Sequence, residues 1–356
     1  MSEGSSPRVL VVGDPYFDID AFALGLSPLS GRVEFDYLQV TATQAVTPRT
    51  ESEARLREYA GDPRTVADAL VGHHMLVVHG APVADEALAT PGLRLVCCAR
   101  GGPVNVDIAS ATARGVPVCS SPGKNAAAVA ELTIGFVLLL IRGVLSSARQ
   151  MAAGQAGGGS AFDGREFFGF EAAGSTLGLV GYGHIGRQVA RRAAALGMTV
   201  IAHDPFATVD DGGSARLLPL DDVLAAADVV SLHARATAGS APLMNAAAFA
   251  AMREGSYFIN SAREQLVDEA ALRAALTSGH IAGAALDVIE LSGERNALLD
   301  MPQVLVTPHI GGATRETLAR GAQMAVQSIT ALLDGEPLPY LVNPAAITNE
   351  SVGSTP

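Results

Sequence analysis

The stretch "TLGLVGYGHIGRQVARRAAALGMTVIAHD", Thr176–Asp204, decides how the rest of the chain is read. A short apolar run ends at Gly181, and Gly181, Gly183 and Gly186 give the spacing G-x-G-x-x-G. Residues of helical spacing follow at once, and a second apolar run closes on Asp204, 18 positions after Gly186. Each glycine has a separate role. The first permits the tight turn, the second lets backbone approach a pyrophosphate, and the third lets helix and strand pack closely. The helix start at His184 and Ile185 offers N–H donors and a partial positive charge to phosphates. Asp204 can accept from both ribose hydroxyls, and its charge opposes a 2′-phosphate. No arginine follows in "DPFATVDD". Strand, glycines, helix and acid in this order predict a dinucleotide site, with NAD preferred over NADP.

Similar apolar runs recur on both sides of this stretch. "RVLVVG", "VEFDYLQV", "HMLVVHG" and "LRLVCCA" precede it, and "DVVSLH", "SYFINSA", "IAGAALDV" and "QVLVT" follow. Short strands separated by helical patterns predict parallel sheets covered on both faces, hence an α/β protein. The 356 residues and the break in turn chemistry at "SSPGKN" divide the pattern into two α/β units. A long helix is expected from about Asn125, a Gly-rich loop over Ala152–Ser175, and a final helix over about Thr314–Leu333.

Composition narrows the classes of partner. A formal net charge of −12 argues against nucleic acid or an anionic membrane as the main partner. Three cysteines, two of them adjacent in "LRLVCCA", form neither a disulfide framework nor a metal-ligand spacing, so no metal is expected. The start of the chain, "MSEGSSPRVLVVG", lacks the zones of a signal peptide. The most apolar segment, "AAAVAELTIGFVLLLIRG", carries Glu131 and is shorter than the roughly 20 apolar residues of a span. A core or interface helix and a reducing, cytoplasmic setting are the expectations.

Ligands of parallel α/β sheets bind beyond the carboxyl ends of the strands. Three segments there carry chemistry: "INSAREQLVDE" with Arg263, "ALDVIELSGER" with Asp287, Glu290 and Glu294, and "VLVTPHIGGAT" with His309. An arginine fork suits a planar carboxylate, and a histidine can give and take a proton near neutrality. The ordered set "NVDIASATARGVPV", "PGKNAAAVAEL", "TLGLVGYGHIG", "INSAR", "GAALDV" and "VTPHIGG" resembles the D-2-hydroxyacid dehydrogenase family from about Val9 to Asn343.

That resemblance implies a Rossmann domain over 122–312 and a flavodoxin-like substrate domain assembled from 1–121 and 313–356. It implies that Arg263 binds the substrate carboxylate and carbonyl, and that His309 is the general acid/base. It adds Ser261, Ala262, Asp287, Gly311 and Gly312 to the NAD contacts. Gly101 and Gly102 would hold the carboxylate through their amides, with Arg100 able to reach an anionic tail such as a phosphate. The substrate implied is a small 2-hydroxy or 2-keto acid, phosphorylated forms included, and the long helix implies a homodimer. The family's histidine is paired with a glutamate. Here Ser292 falls at that position counted from Asp287, while counting back from "LLD" selects Glu290, with Glu294 as the other choice. Two rival readings use the same scaffold. A nucleotide-sensing, corepressor-like protein need not keep Arg263 and His309. Formate oxidation pairs the histidine with a glutamine, and "ELSGER" has none.

Overall fold

Runs such as Val9–Val12 and Val229–Leu232 are buried at every position, so both of their faces must be covered. The computed structural model describes residues 6–154, 168–208, 214–236, 241–291 and 296–347. The chain separates into two compact units, Met1–Lys124 with Thr314–Pro356, and Asn125–Ala313.

In the first unit, β1 (Arg8–Gly13), β2 (Glu34–Gln39), β3 (Met75–Val78), β4 (Leu95–Cys98) and β5 (Val118–Cys119) form a sheet of order β2-β1-β3-β4-β5. All its pairings are parallel, which is the flavodoxin-like order. The helices Ile19–Leu26 and Arg315–Asp334 bury Phe22, Leu26, Ala322 and Ile329 in one core layer. Val66 and Leu70 of the helix Pro63–Leu70, with Leu88 and Ala111, pack in a second layer. The final helix starts where its sequence signals it: Thr314 accepts the Thr317 N–H at 3.2 Å, and Gly335 ends it at φ 70°.

In the second unit, β6 (Thr176–Val180), β7 (Thr199–His203), β8 (Arg216–Leu217), β9 (Val229–Leu232), β10 (Ser256–Asn260), β11 (Ile281–Leu286) and β12 (Val304–Val306) run in the order β12-β11-β10-β9-β6-β7-β8. Every pairing is parallel. The order reverses beside β6, so the glycine-rich turn after β6 sits at the topological switch point of a Rossmann sheet. The helix Ala126–Ile141 is the expected long one, and it buries Phe136, Val137 and Ile141 with Val189 and Ala193 of the helix His184–Ala195. Gly143, at φ 59°, ends its run before a second helix, Val144–Ala152. Among the described residues no single helix is long and apolar enough to cross a membrane.

Candidate active site

The glycine turn is built as its spacing requires. Gly181 has φ 105°, and a Cβ there would lie 2.5 Å from the His233 carbonyl carbon and 2.6 Å from the Ala234 nitrogen. A Cβ on Gly186 would lie 2.3 Å from the Gly181 oxygen. Neither position can carry a side chain without moving backbone. Gly183 is the opposite case, with open space where its Cβ would be. It is also the N-cap of the following helix, and no side chain caps that helix, so no capping side chain takes up the amides of its first turn. Asp204 accepts the Tyr182 N–H at 2.7 Å on one oxygen and the Phe206 N–H at 2.9 Å on the other. A carboxylate has about four acceptor positions, so this fixes its orientation and leaves capacity for a diol. Tyr182 is 1% exposed with the Arg187 guanidinium 4.8 Å above its ring. Nothing in the glycine pattern signals this prop beneath the turn.

His233, just past β9, has its Nε2 2.9 Å from the Ser231 hydroxyl. Burial pulls its pKa down to about 4, and its Nδ1 is enclosed without a partner. It is therefore a neutral imidazole against the glycine turn.

The next strand ends bring the predicted catalytic segments to one edge. Asn260, Leu286 and Val306 are in register across β10, β11 and β12, so the residues after them leave the sheet side by side. After β10, buried Asn260 holds the turn: its side-chain oxygen accepts from the Ala262 N–H at 2.9 Å and its Nδ2 donates to the Arg263 carbonyl at 3.0 Å. The half-buried Arg263 donates from Nη1 to the Ala262 carbonyl at 2.7 Å. Ser261 lies beside it, 3.3 Å from the Thr133 hydroxyl.

After β11, Asp287 is 2% exposed and organises the histidine turn. One carboxylate oxygen accepts the Thr307 hydroxyl at 2.6 Å and the Ile310 N–H at 2.8 Å, and the other accepts the Gly311 N–H at 2.8 Å. The His309 N–H donates to the Asp287 carbonyl at 2.9 Å. These bonds hold exposed His309 at φ 55°, a left-handed conformation that costs a side-chain-bearing residue of order 1–3 kcal/mol. A Cβ on Gly311 would meet an Asp287 oxygen at 2.8 Å, so the first glycine of "HIGG" is a steric requirement of this clamp.

The glutamate partner is not brought to the histidine. Glu290 is exposed, its N–H donates to Glu269 at 2.8 Å and its carbonyl accepts from Asn296 at 2.9 Å. Among the described residues no hydrogen bond or ion pair joins the His309 ring to a carboxylate. Ser292 and Glu294 lie outside the described residues.

In the first unit, the amides of Gly101 and Gly102 donate to no group among the described residues, and a Cβ on Gly102 would meet open space. Arg100 is placed differently from its sequence reading. Its guanidinium pairs with the Glu58 carboxylate and donates to the Glu58 carbonyl at 2.6 Å, with Glu58 itself at φ 50°.

Residues 134–311 match the family described as D-isomer specific 2-hydroxyacid dehydrogenase, NAD binding domain. The D-3-phosphoglycerate dehydrogenase of Rattus norvegicus is 36% identical over 280 residues, 77% of this chain and 51% of the rat protein. That of Mycobacterium tuberculosis is 37% identical over 289 residues, 78% of this chain and 52% of its own. The solved TT0316 protein of Thermus thermophilus has 31% identity and a TM-score of 0.75, covering 94% of this chain and 99% of that one. Fold and glycine turn together define a two-domain α/β protein with a dinucleotide-binding sheet. More narrowly, the chain belongs to the D-isomer specific 2-hydroxyacid dehydrogenase family and carries that family's NAD-binding domain. It spans about half the length of the curated relatives it matches. The residues present fit NAD: an open face at Gly183, an uncapped helix N-terminus, and a fixed carboxylate with acceptor capacity at Asp204.

Proposed function

We propose that the protein is an NAD-dependent dehydrogenase that interconverts a D-2-hydroxy acid and its 2-keto acid. The observation that carries this reading is the presentation of Arg263 and His309 at the ends of β10 and β12, the two strands that flank β11 in the NAD-binding sheet, with His309 held in a left-handed turn by Asp287. A backbone strain of this kind persists only where its surroundings impose it, and such sites cluster at functional centres. NAD(H), when bound, supplies or accepts the hydride. The Arg263 fork receives the carboxylate and the neighbouring carbonyl oxygen. His309 donates a proton to that oxygen in reduction and removes it in oxidation. The free amides of Gly101 and Gly102 hold the carboxylate. Glu290 is the proposed acidic partner of His309. Asp287 serves the turn first and retains room on one oxygen for a further donor, as a cofactor amide would supply.

The same reading takes the apolar helix pair Ala126–Ile141 and Val144–Ala152, with Leu138, Val144 and Met151 exposed, as the contact of a homodimer. The three free, buried cysteines suit a reducing, cytoplasmic setting. The test is a panel of 2-keto acids, including glyoxylate, hydroxypyruvate and phosphohydroxypyruvate, assayed with NADH. Arg263→Ala should lower kcat/KM by the equivalent of about 2–5 kcal/mol while NADH binding persists. Turnover within about tenfold of the parent would remove Arg263 from its role.

A further inference from the structure

Among the described residues, Lys124 is a buried ammonium that the proposed chemistry does not use. It is 6% exposed, its Nζ is enclosed, and that Nζ has no hydrogen-bond partner. Its main chain is tied down on both sides: its carbonyl accepts from Arg320 Nε at 2.6 Å and its N–H reaches the Ser121 carbonyl at 3.4 Å. Its stem packs beside Gly321, where a Cβ would lie 3.3 Å from Lys124 Cδ, and its Nζ stands 5.8 Å from the centre of the Phe17 ring. Burial lowers its pKa to about 8, so near neutral pH the ammonium is still mainly charged. An enclosed charge without an acceptor is costly.

Among the described residues no nearby acid is free to meet that charge. Asp14 lies in the same neighbourhood, but its carboxylate is filled by four donors: the Tyr16 and Phe17 N–H groups at 2.8 and 2.9 Å, the Gly80 N–H at 2.5 Å and the His79 ring at 3.0 Å. Arg320 has no carboxylate partner among the described residues and adds to the positive field at Lys124. His79 is held towards its neutral form by burial and, to a smaller extent, by the Lys124 charge.

The location gives the excess charge a use. The Ser121 N–H donates to the Arg100 carbonyl at 2.7 Å, which joins the Ser121–Lys124 turn to the Arg100–Gly102 loop. That loop carries the two free amides assigned above to the substrate carboxylate. We infer that Lys124 receives a second anionic group of the substrate, a carboxylate or a phosphate, so that the preferred 2-keto acid is one with two acidic groups. Lys124 has no hydrogen bond at Nζ to break on meeting the anion. Arg100 contributes field rather than contact, because its guanidinium is engaged by Glu58.

This inference rests on the dehydrogenase reading, and the experiment separates the two. The parent, Lys124→Met and Lys124→Arg are assayed with NADH against hydroxypyruvate, 2-oxoglutarate and phosphohydroxypyruvate. In parallel, inorganic phosphate and succinate are titrated into each protein by calorimetry. The parent should favour one of the two diacidic keto acids over hydroxypyruvate by about 100-fold in kcat/KM, and which one identifies the second group. Lys124→Met should lower kcat/KM on that substrate at least about 30-fold more than on hydroxypyruvate, chiefly through KM, with partial rescue in Lys124→Arg. The matching probe should bind the parent and not Lys124→Met. A parent without preference for a second acidic group overturns the inference, as does a uniform loss on all three substrates, which would make Lys124 structural. If no keto acid is reduced by any of the proteins, the dehydrogenase reading fails. Loss of phosphate or succinate binding in Lys124→Met would then still support an anion site, and unchanged or absent binding would reject it.

Discussion

Asp287→Asn separates a residue that positions the histidine from one that only meets the cofactor. The carboxylate accepts three donors at 2.6–2.8 Å and is 2% exposed. Asparagine keeps one acceptor oxygen. With that oxygen facing Thr307 and Ile310, its NH2 faces the Gly311 N–H, and two donors confront each other. One hydrogen bond to a charged group is lost, worth about 1.5–3 kcal/mol, and a buried donor is left unmet at about 1–3 kcal/mol more. Relief from burying a charge offsets part of this. The net expectation is a loss of about 2–4 kcal/mol in the stability of the second unit. The turn should also release His309 from φ 55°, lowering kcat/KM by at least about 100-fold. Urea unfolding followed by circular dichroism measures the first effect, with the second unit's transition identified by its upward shift on adding NADH. Steady-state kinetics with a 2-keto acid measures the second. A variant within about 0.5 kcal/mol of the parent and within about tenfold in kcat/KM would refute the reasoning, since the clamp would then hold nothing.

Three further outcomes follow from particular residues. His309→Asn should unfold within about 1 kcal/mol of the parent, because asparagine tolerates the left-handed region, yet lose essentially all turnover; a residual rate within about tenfold would deny His309 the proton transfer. The parent should prefer NADH to NADPH, and Asp204→Asn, which keeps an acceptor for the Tyr182 N–H but loses the charge, should narrow that preference at least about tenfold in steady-state kinetics; an NADPH-preferring parent would contradict the assignment. Burial holds the folded pKa of His233 near about 4, below the unfolded value of roughly 6.5, so its contribution to stability is complete above about pH 6.5 and is lost as pH falls towards about 4, by up to about 3 kcal/mol. His233→Asn should flatten that part of the urea-unfolding profile, and an unchanged acid slope would show that other groups set it.

The parts of the molecule written locally were legible in the sequence. Apolar runs such as "RVLVVG" and "DVVSLH" specify strands because period and burial are set by neighbouring residues, and they became β1 and β9. Gly181, Gly183, Gly186 and Asp204 sit within one strand–helix–strand unit, so the turn they build was legible from spacing alone. The two-residue strands β5 and β8 gave no such signal, since their place comes from pairing with β4 and β7 rather than from a pattern of their own. The partners of charged side chains were the least legible. Arg100 finds Glu58, which is 42 positions away, and Asp287 finds its donors 20 to 24 positions on, in the histidine turn. The same holds for Lys124: a lysine after Pro-Gly reads as a turn residue, and only the fold encloses its ammonium without an acceptor, with the carboxylate of nearby Asp14 already filled by other donors. Backbone periodicity is fixed by bonded neighbours, whereas the balance of buried charge depends on which distant segments the fold brings within a few ångströms, and that is decided only when the strands have found their order.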